Sequence, residues 1–236
     1  MNLEVIESEK SKNKNILDFA NASENMRALM LKINVNLPEP DRDVLQRFAS
    51  LPNEIQIGAI QQLNFYSEIC EYAAANNYDQ NDLKLTWYAL SKFGLKGPSE
   101  LFSTLSEEDC IEIYSATGTQ MFRSFNFFKY CSYSPEDLLT SPWQELYDRD
   151  TDIISQMEGV AGRALMQAEN VFSIELPNHK VWELRSTKKV HAEVSFRICS
   201  PLFDEHKKRS AFLVSSRIEL LKESPKQLPR EPEASL

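Results

Sequence analysis

Glycine and histidine are scarce in this chain, with six and three among 236 residues. The glycines, at 58, 94, 97, 118, 159 and 162, form no GxGxxG, Walker A or GxSxG spacing, so no phosphate cradle or nucleophile elbow is written here. Gly159-Val160-Ala161-Gly162 reads instead as a helix packing closely on a sheet. The histidines, His179, His191 and His206, show no HxH or HxxxH pattern from which metal ligands converge. His191 falls on the polar side of an alternating strand and His206 in a charged turn, so both are expected at the surface; His179, in the turn after Pro177, is expected to be structural. Four cysteines lie far apart without a CxxC, which excludes a zinc ribbon or a thioredoxin-type pair and leaves reduced, mostly buried thiols. No apolar run approaches the ~20 residues of a membrane span, and the N-terminus lacks the apolar core of a secretion signal, so the expected compartment is the cytoplasm. A net charge of -9 makes nucleic acid an unlikely partner.

What is present is helical periodicity followed by strand periodicity. Residues 1–37 are rich in Asn, Ser and charge and read as a flexible leader, with one short helix around Met26, Leu29, Met30 and Ile33 capped by Ser23. Residues 38–106 read as a helical region. Ile55, Ala59, Ile60, Leu63, Tyr66, Ile69, Cys70 and Ala73 make one long stripe, and Leu83, Trp87, Leu90 and Phe93 a second, ended by Gly94. Two of the aromatics, Phe65 and Tyr72, lie off the main stripe, which leaves an interface for a protein partner or a homodimer built with the open face of the following sheet.

Beyond residue 106 the period changes. The segments 110–114 and 121–128 form a hairpin around Gly118, Ser134-Pro135-Glu136-Asp137 opens a helix, and 152–169 forms a longer one. Strands follow at 171–176, 180–185, 190–198 and 210–218, the third with strict alternation of Val190, Ala192, Val194, Phe196 and Ile198. Residues 223–236, with three prolines and no apolar period, read as a disordered tail.

The run from Gly118 through Phe127 to Tyr133-Ser134-Pro135-Glu136-Asp137-Leu138-Leu139 and Pro142-Trp143, then the corner Tyr147-Asp148-Arg149-Asp150, resembles the PAS-domain family. Ser124 stands where that family has Asn, and Ser132 where it has Gly before the Tyr. The resemblance covers residues 107–222 and says nothing of the N-terminal helical region. It implies an α+β fold with an antiparallel five-stranded sheet and helices on one face. It also implies a non-catalytic sensory or protein-interaction module, working in signal transduction or gene regulation through a partner, since no output domain follows in the chain.

Members that bind haem carry a His on the long helix, and flavin photosensors carry Gly-Arg-Asn-Cys-Arg-Phe; this sequence has neither, so no cofactor is expected, while a flavin or haem held loosely through His179 or His191 stays open. Phe127, Leu138, Trp143, Met157, Leu165, Val194 and Phe196 line a ligand pocket or serve equally as a filled core. Trp143 is expected to be a buried anchor. A small-molecule sensor for an apolar or flavin-like ligand is the second reading, and a DNA-binding regulator using the helical region a weaker third.

Overall fold

A computed structural model describes residues 3–184 and 190–221, with side chains from residue 14 onward. The tail expected at 223–236, and Arg185 at the end of an expected strand, lie outside the described residues. The N-terminal half is built from α1 (Leu3–Lys32), α2 (Val44–Ser50), α3 (Asn53–Asn76), α4 (Leu83–Lys92) and the short α5 (Leu101–Thr104).

The leader expected over residues 1–37 is corrected: α1 runs for 30 residues. Its apolar residues are sparse, so its periodicity is faint, but Phe19, Ala22, Met26 and Met30 are all buried. Such a helix is stabilised by packing rather than propensity. Phe19 stacks on Phe48 of α2 at 4.1 Å between ring centroids. The Asn15 amide donates to Asn53 Oδ1 at 2.8 Å and to Gln56 Oε1 at 2.9 Å, fastening α1 to the start of α3. Ser23, expected as an N-cap, sits within α1 and donates its hydroxyl to Glu136.

Helix α3 follows its expected stripe, with Ala59, Leu63, Tyr66, Ile69, Cys70 and Ala73 buried. It ends at Asn77, whose φ of 55° is the left-handed conformation that terminates a helix. Gly94 takes the same role after α4, with φ 65°. Ile55 and Trp87, placed on the apolar stripes by spacing, are instead exposed.

The C-terminal half contains β1 (Cys110–Ser115), β2 (Gln120–Arg123), a 3-10 turn (Phe125–Lys129), α6 (Pro135–Thr140), α7 (Trp143–Leu146), β3 (Tyr147–Asp148), α8 (Thr151–Met166), β4 (Phe172–Ser173), β5 (His179–Glu183), β6 (His191–Phe203) and β7 (Arg209–Leu220). The expected strand to residue 128 stops at Arg123. Ser124 closes the ladder there, its N–H donating to the Ile111 carbonyl and its hydroxyl accepting from the Ile111 N–H. The aromatics beyond it are buried on a turn, because burial rather than strand geometry accounts for them. At α6 the N-cap is as expected: Ser134 and Asp137 form a reciprocal capping box with Pro135 at the first helical position.

Among the described residues seven strands form one antiparallel sheet in the order β2-β1-β7-β6-β5-β3, with β4 pairing β6, rather than the expected five. The strand that no spacing announces is β3, two residues long, while β4 is a two-residue part of the strand expected over 171–176. Register divides the sheet into two faces, since directly paired residues point the same way. Ile111, Ile113, Phe122, Leu202, Ala211 and Leu213 share one core with Met26, Leu63, Ile69, Leu85 and Leu90 of the helical region. Val214, Phe212 and Cys199 on the other face pack against Ala164 of α8. Helices therefore cover both faces, correcting the one-sided arrangement, because the N-terminal helices supply the second layer. No helix among the described residues is long and apolar enough to cross a membrane.

The expectation for Trp143 is also corrected: it is 38% exposed, with its ring 5.4 Å from the Arg149 guanidinium. Trp143→Ala is therefore expected to cost no more than about 1 kcal/mol, against the ~3 to 5 kcal/mol of a fully buried Trp. Nearly superimposable urea melts of variant and parent check this.

Candidate functional site

Charged and aromatic side chains gather on the α8 side of the sheet. Glu112 and Arg123 are directly opposed on β1 and β2. Arg123 Nε and Nη2 each lie 2.7 Å from Glu112 Oε1, and Gln120 donates to the same oxygen at 2.7 Å. The pair is largely shielded, at 11% and 14% side-chain exposure. Burial opposes the Arg123 charge, but Glu112, Tyr114 and Tyr147 outweigh it and hold the guanidinium above its ordinary pKa. Its cation also lies 3.9 Å from the centre of the Phe127 ring. Burial, reinforced by Glu112, pushes the Tyr114 hydroxyl up, so it stays protonated and serves as a neutral hydrogen-bonding group.

Arg149 comes from the corner between β3 and α8. Its Nη1 lies 3.2 Å from Met157 Sδ, nearly two turns into α8, and Trp143 flanks it. Burial lowers its pKa, with Glu112, Tyr114 and Tyr147 opposing. Among the described residues no carboxylate forms an ion pair with it. His179 enters from β5, buried and stacked on Phe196 with centroids 5.5 Å apart. Desolvation and the Arg149 charge hold its pKa below the ordinary value, while the Pro177 carbonyl and Asp150 oppose them.

One histidine expectation changes here. His191, expected at the surface, is buried and stacks on Trp182 at 4.4 Å; His179, expected to be structural, is buried on β5, and His206 remains exposed. All four cysteines are buried and none is bonded to another. Burial pushes each thiol up to about 12, so thiolate nucleophiles are disfavoured. Cys131 Sγ and the Tyr147 hydroxyl are 3.1 Å apart beside this cluster.

The residues expected to line a pocket divide. Phe127, Trp143 and Met157 touch the two arginines, and Phe196 touches His179. Leu138 packs with Cys131, Tyr133 and Leu146, Leu165 with Ala164 and Phe212, and Val194 is buried opposite His179 on β6. Glu112, Arg123 and Arg149 were not legible as site residues. Glu112 alternates with Ile111 and Ile113, a pattern that reads as a wet face; only the helices laid across that face enclose it.

The expected interface residues are occupied within the chain. Phe65 meets Phe93 at 4.6 Å, and Tyr72 stacks on Tyr88 at 4.0 Å with Tyr78 edge-on at 5.7 Å. Their ring partners come from α4 and the segments that flank it. Comparison of the sequence with protein-family models and with curated proteins finds no match.

His179 gives a pH prediction. A base whose folded pKa is depressed leaves the unfolded chain binding more protons, so its contribution is present above the ordinary 6.5 and is lost as pH falls below it. His179→Gln should therefore show a smaller drop in melting temperature between about pH 7.5 and about pH 5.5 than the parent. Equal drops in thermal scans would mean that folding does not lower the His179 pKa.

Proposed function

We propose that residues 107–222 act as a PAS-like sensory and protein-interaction module, without catalysis of its own, whose state is passed through the N-terminal helices to a protein partner. The order of hairpin, short helices, longer helix and meander supports the PAS-like reading beside the motif from Gly118 to Trp143. The observation that carries the functional reading is the double role of β2. Its Arg123 side chain belongs to the charged cluster on one face, while its backbone N–H donates to the Tyr66 hydroxyl of α3 at 3.1 Å. Two residues earlier, the Met121 carbonyl accepts from Gln62, also on α3. A displacement of Arg123 thus bears directly on the long helix, in a packed interior that transmits strain.

The test is a crosslinked complex recovered from the native cell, compared between the parent and Arg123→Met. The reading expects a stoichiometric partner whose yield changes when this inner side chain is altered while the fold is retained by circular dichroism. A partner yield indifferent to Arg123, or a chain recovered only by itself, would overturn it.

A further inference from the structure

We propose that the inner face of the sheet binds a small organic carboxylate, held by the Arg149 guanidinium with Arg123 Nη1 and the His179 ring as further donors. The inference rests on reading this face as the sensory side of the module and names the class of ligand it takes.

The charge count points this way first. Glu112 satisfies Arg123 through two nitrogens, yet Arg149 has a thioether and an indole ring for neighbours and no ion pair among the described residues. A largely buried cation with no carboxylate in contact, and only a share of the more distant Glu112 that already pairs with Arg123, is costly unless something anionic completes it. The hydrogen-bond inventory agrees. Arg123 Nη1, Arg149 Nε and both His179 ring nitrogens are buried without a well-formed hydrogen bond, with the Pro177 carbonyl beside the imidazole. Native interiors seldom leave such groups unpaired, and here most of the unpaired positions are donors.

The surroundings select the anion. Trp143, Met157 and Phe196 present apolar surface next to the cations, which suits a carboxylate bearing a hydrocarbon or aromatic body better than inorganic phosphate with its demand for donors on every side. The planar edge of a guanidinium matches the two oxygens of a carboxylate. Met157, whose sulfur touches Arg149, is unbranched and the easiest of these side chains to move aside for an entering ligand.

The full chain should be titrated calorimetrically with acetate, hexanoate, phenylacetate, phenylacetamide and inorganic phosphate. Hexanoate or phenylacetate is expected to bind saturably, and Arg149→Gln to weaken that binding by about tenfold or more, as loss of a charge-assisted bidentate contact does. His179→Asn should weaken it by a smaller factor, and Arg149→Lys, which keeps charge without the fork, by an intermediate one. Circular dichroism shows whether each variant folds; if Arg149→Gln does not, Arg149→Lys and His179→Asn decide. Absence of binding by any carboxylate, binding of phosphate alone, or undiminished affinity in the variants overturns the inference. Equal binding of phenylacetamide overturns the anion and leaves the sensory reading standing, which the partner experiment tests separately.

Discussion

Replacing Arg47 by methionine should destabilise the chain by about 3 to 5 kcal/mol in urea denaturation. The reason lies in Asp137, whose side chain is 1% exposed and whose Oδ1 receives Arg47 Nη2 at 2.5 Å. The capping box supplies part of its support: the Ser134 N–H and hydroxyl donate to Oδ2 at 3.1 and 2.9 Å. Asp41 adds a backbone N–H to Oδ1 at 3.1 Å. These bonds moderate the loss but supply no full counter-charge, so removing the arginine leaves a carboxylate enclosed between α2 and α6. Methionine keeps most of the aliphatic stem, so packing loss is small and the measured change reports the polar contacts of the guanidinium, dominated by buried Asp137 over the exposed Asp41 and Asp43. A cost below about 1 kcal/mol would place this pair with exposed surface bridges. The neighbouring Glu136, bonded by Ser23 of α1 and 3.5 Å from Arg27, extends the same polar seam between the leader helix and the C-terminal half.

That seam shows where sequence reading stops. Ser134, Glu136 and Asp137 announce a helix start because capping is local, and the structure has that start. The same carboxylates also clamp α1 and α2, some 90 to 113 residues earlier in sequence, and no spacing within α6 carries that information. The long helix α3 and the strands β6 and β7 were legible because one face of each is continuously apolar. Helix α1 was not, because its buried residues are separated by Asn, Ser and charge. The candidate site is half legible for the same reason: Phe127, Trp143, Met157 and Phe196 read as apolar lining, whereas the groups they surround, Glu112, Arg123, Arg149 and His179, carry the polar signature of a solvated face. Alternation along a strand reveals two faces but not what covers the second. Here α8 covers the polar-looking face that carries Glu112, while a helical layer from the opposite end of the chain covers the apolar one.

Glu112→Gln is the more informative perturbation of the site itself, with an expected loss of about 3 to 5 kcal/mol. Glu112 is the partner of Arg123, and its charge also stabilises the ionised form of Arg149. The glutamine retains an acceptor for one donor but removes the carboxylate charge that favours both guanidiniums, so their mutual repulsion adds to desolvation. Arg123→Met placed in the same chain should recover much of the loss, because removing both members of a buried pair is far less costly than removing one. A double-mutant cycle in chemical denaturation measures that recovery as a coupling energy, expected to be at the upper end of the ~0.5 to 3 kcal/mol seen for contacting residues. Coupling near zero would show that Glu112 and Arg123 are each solvated independently. The cluster would then be an ordinary wet face of the sheet, despite the 2.7 Å contacts that join its two charges.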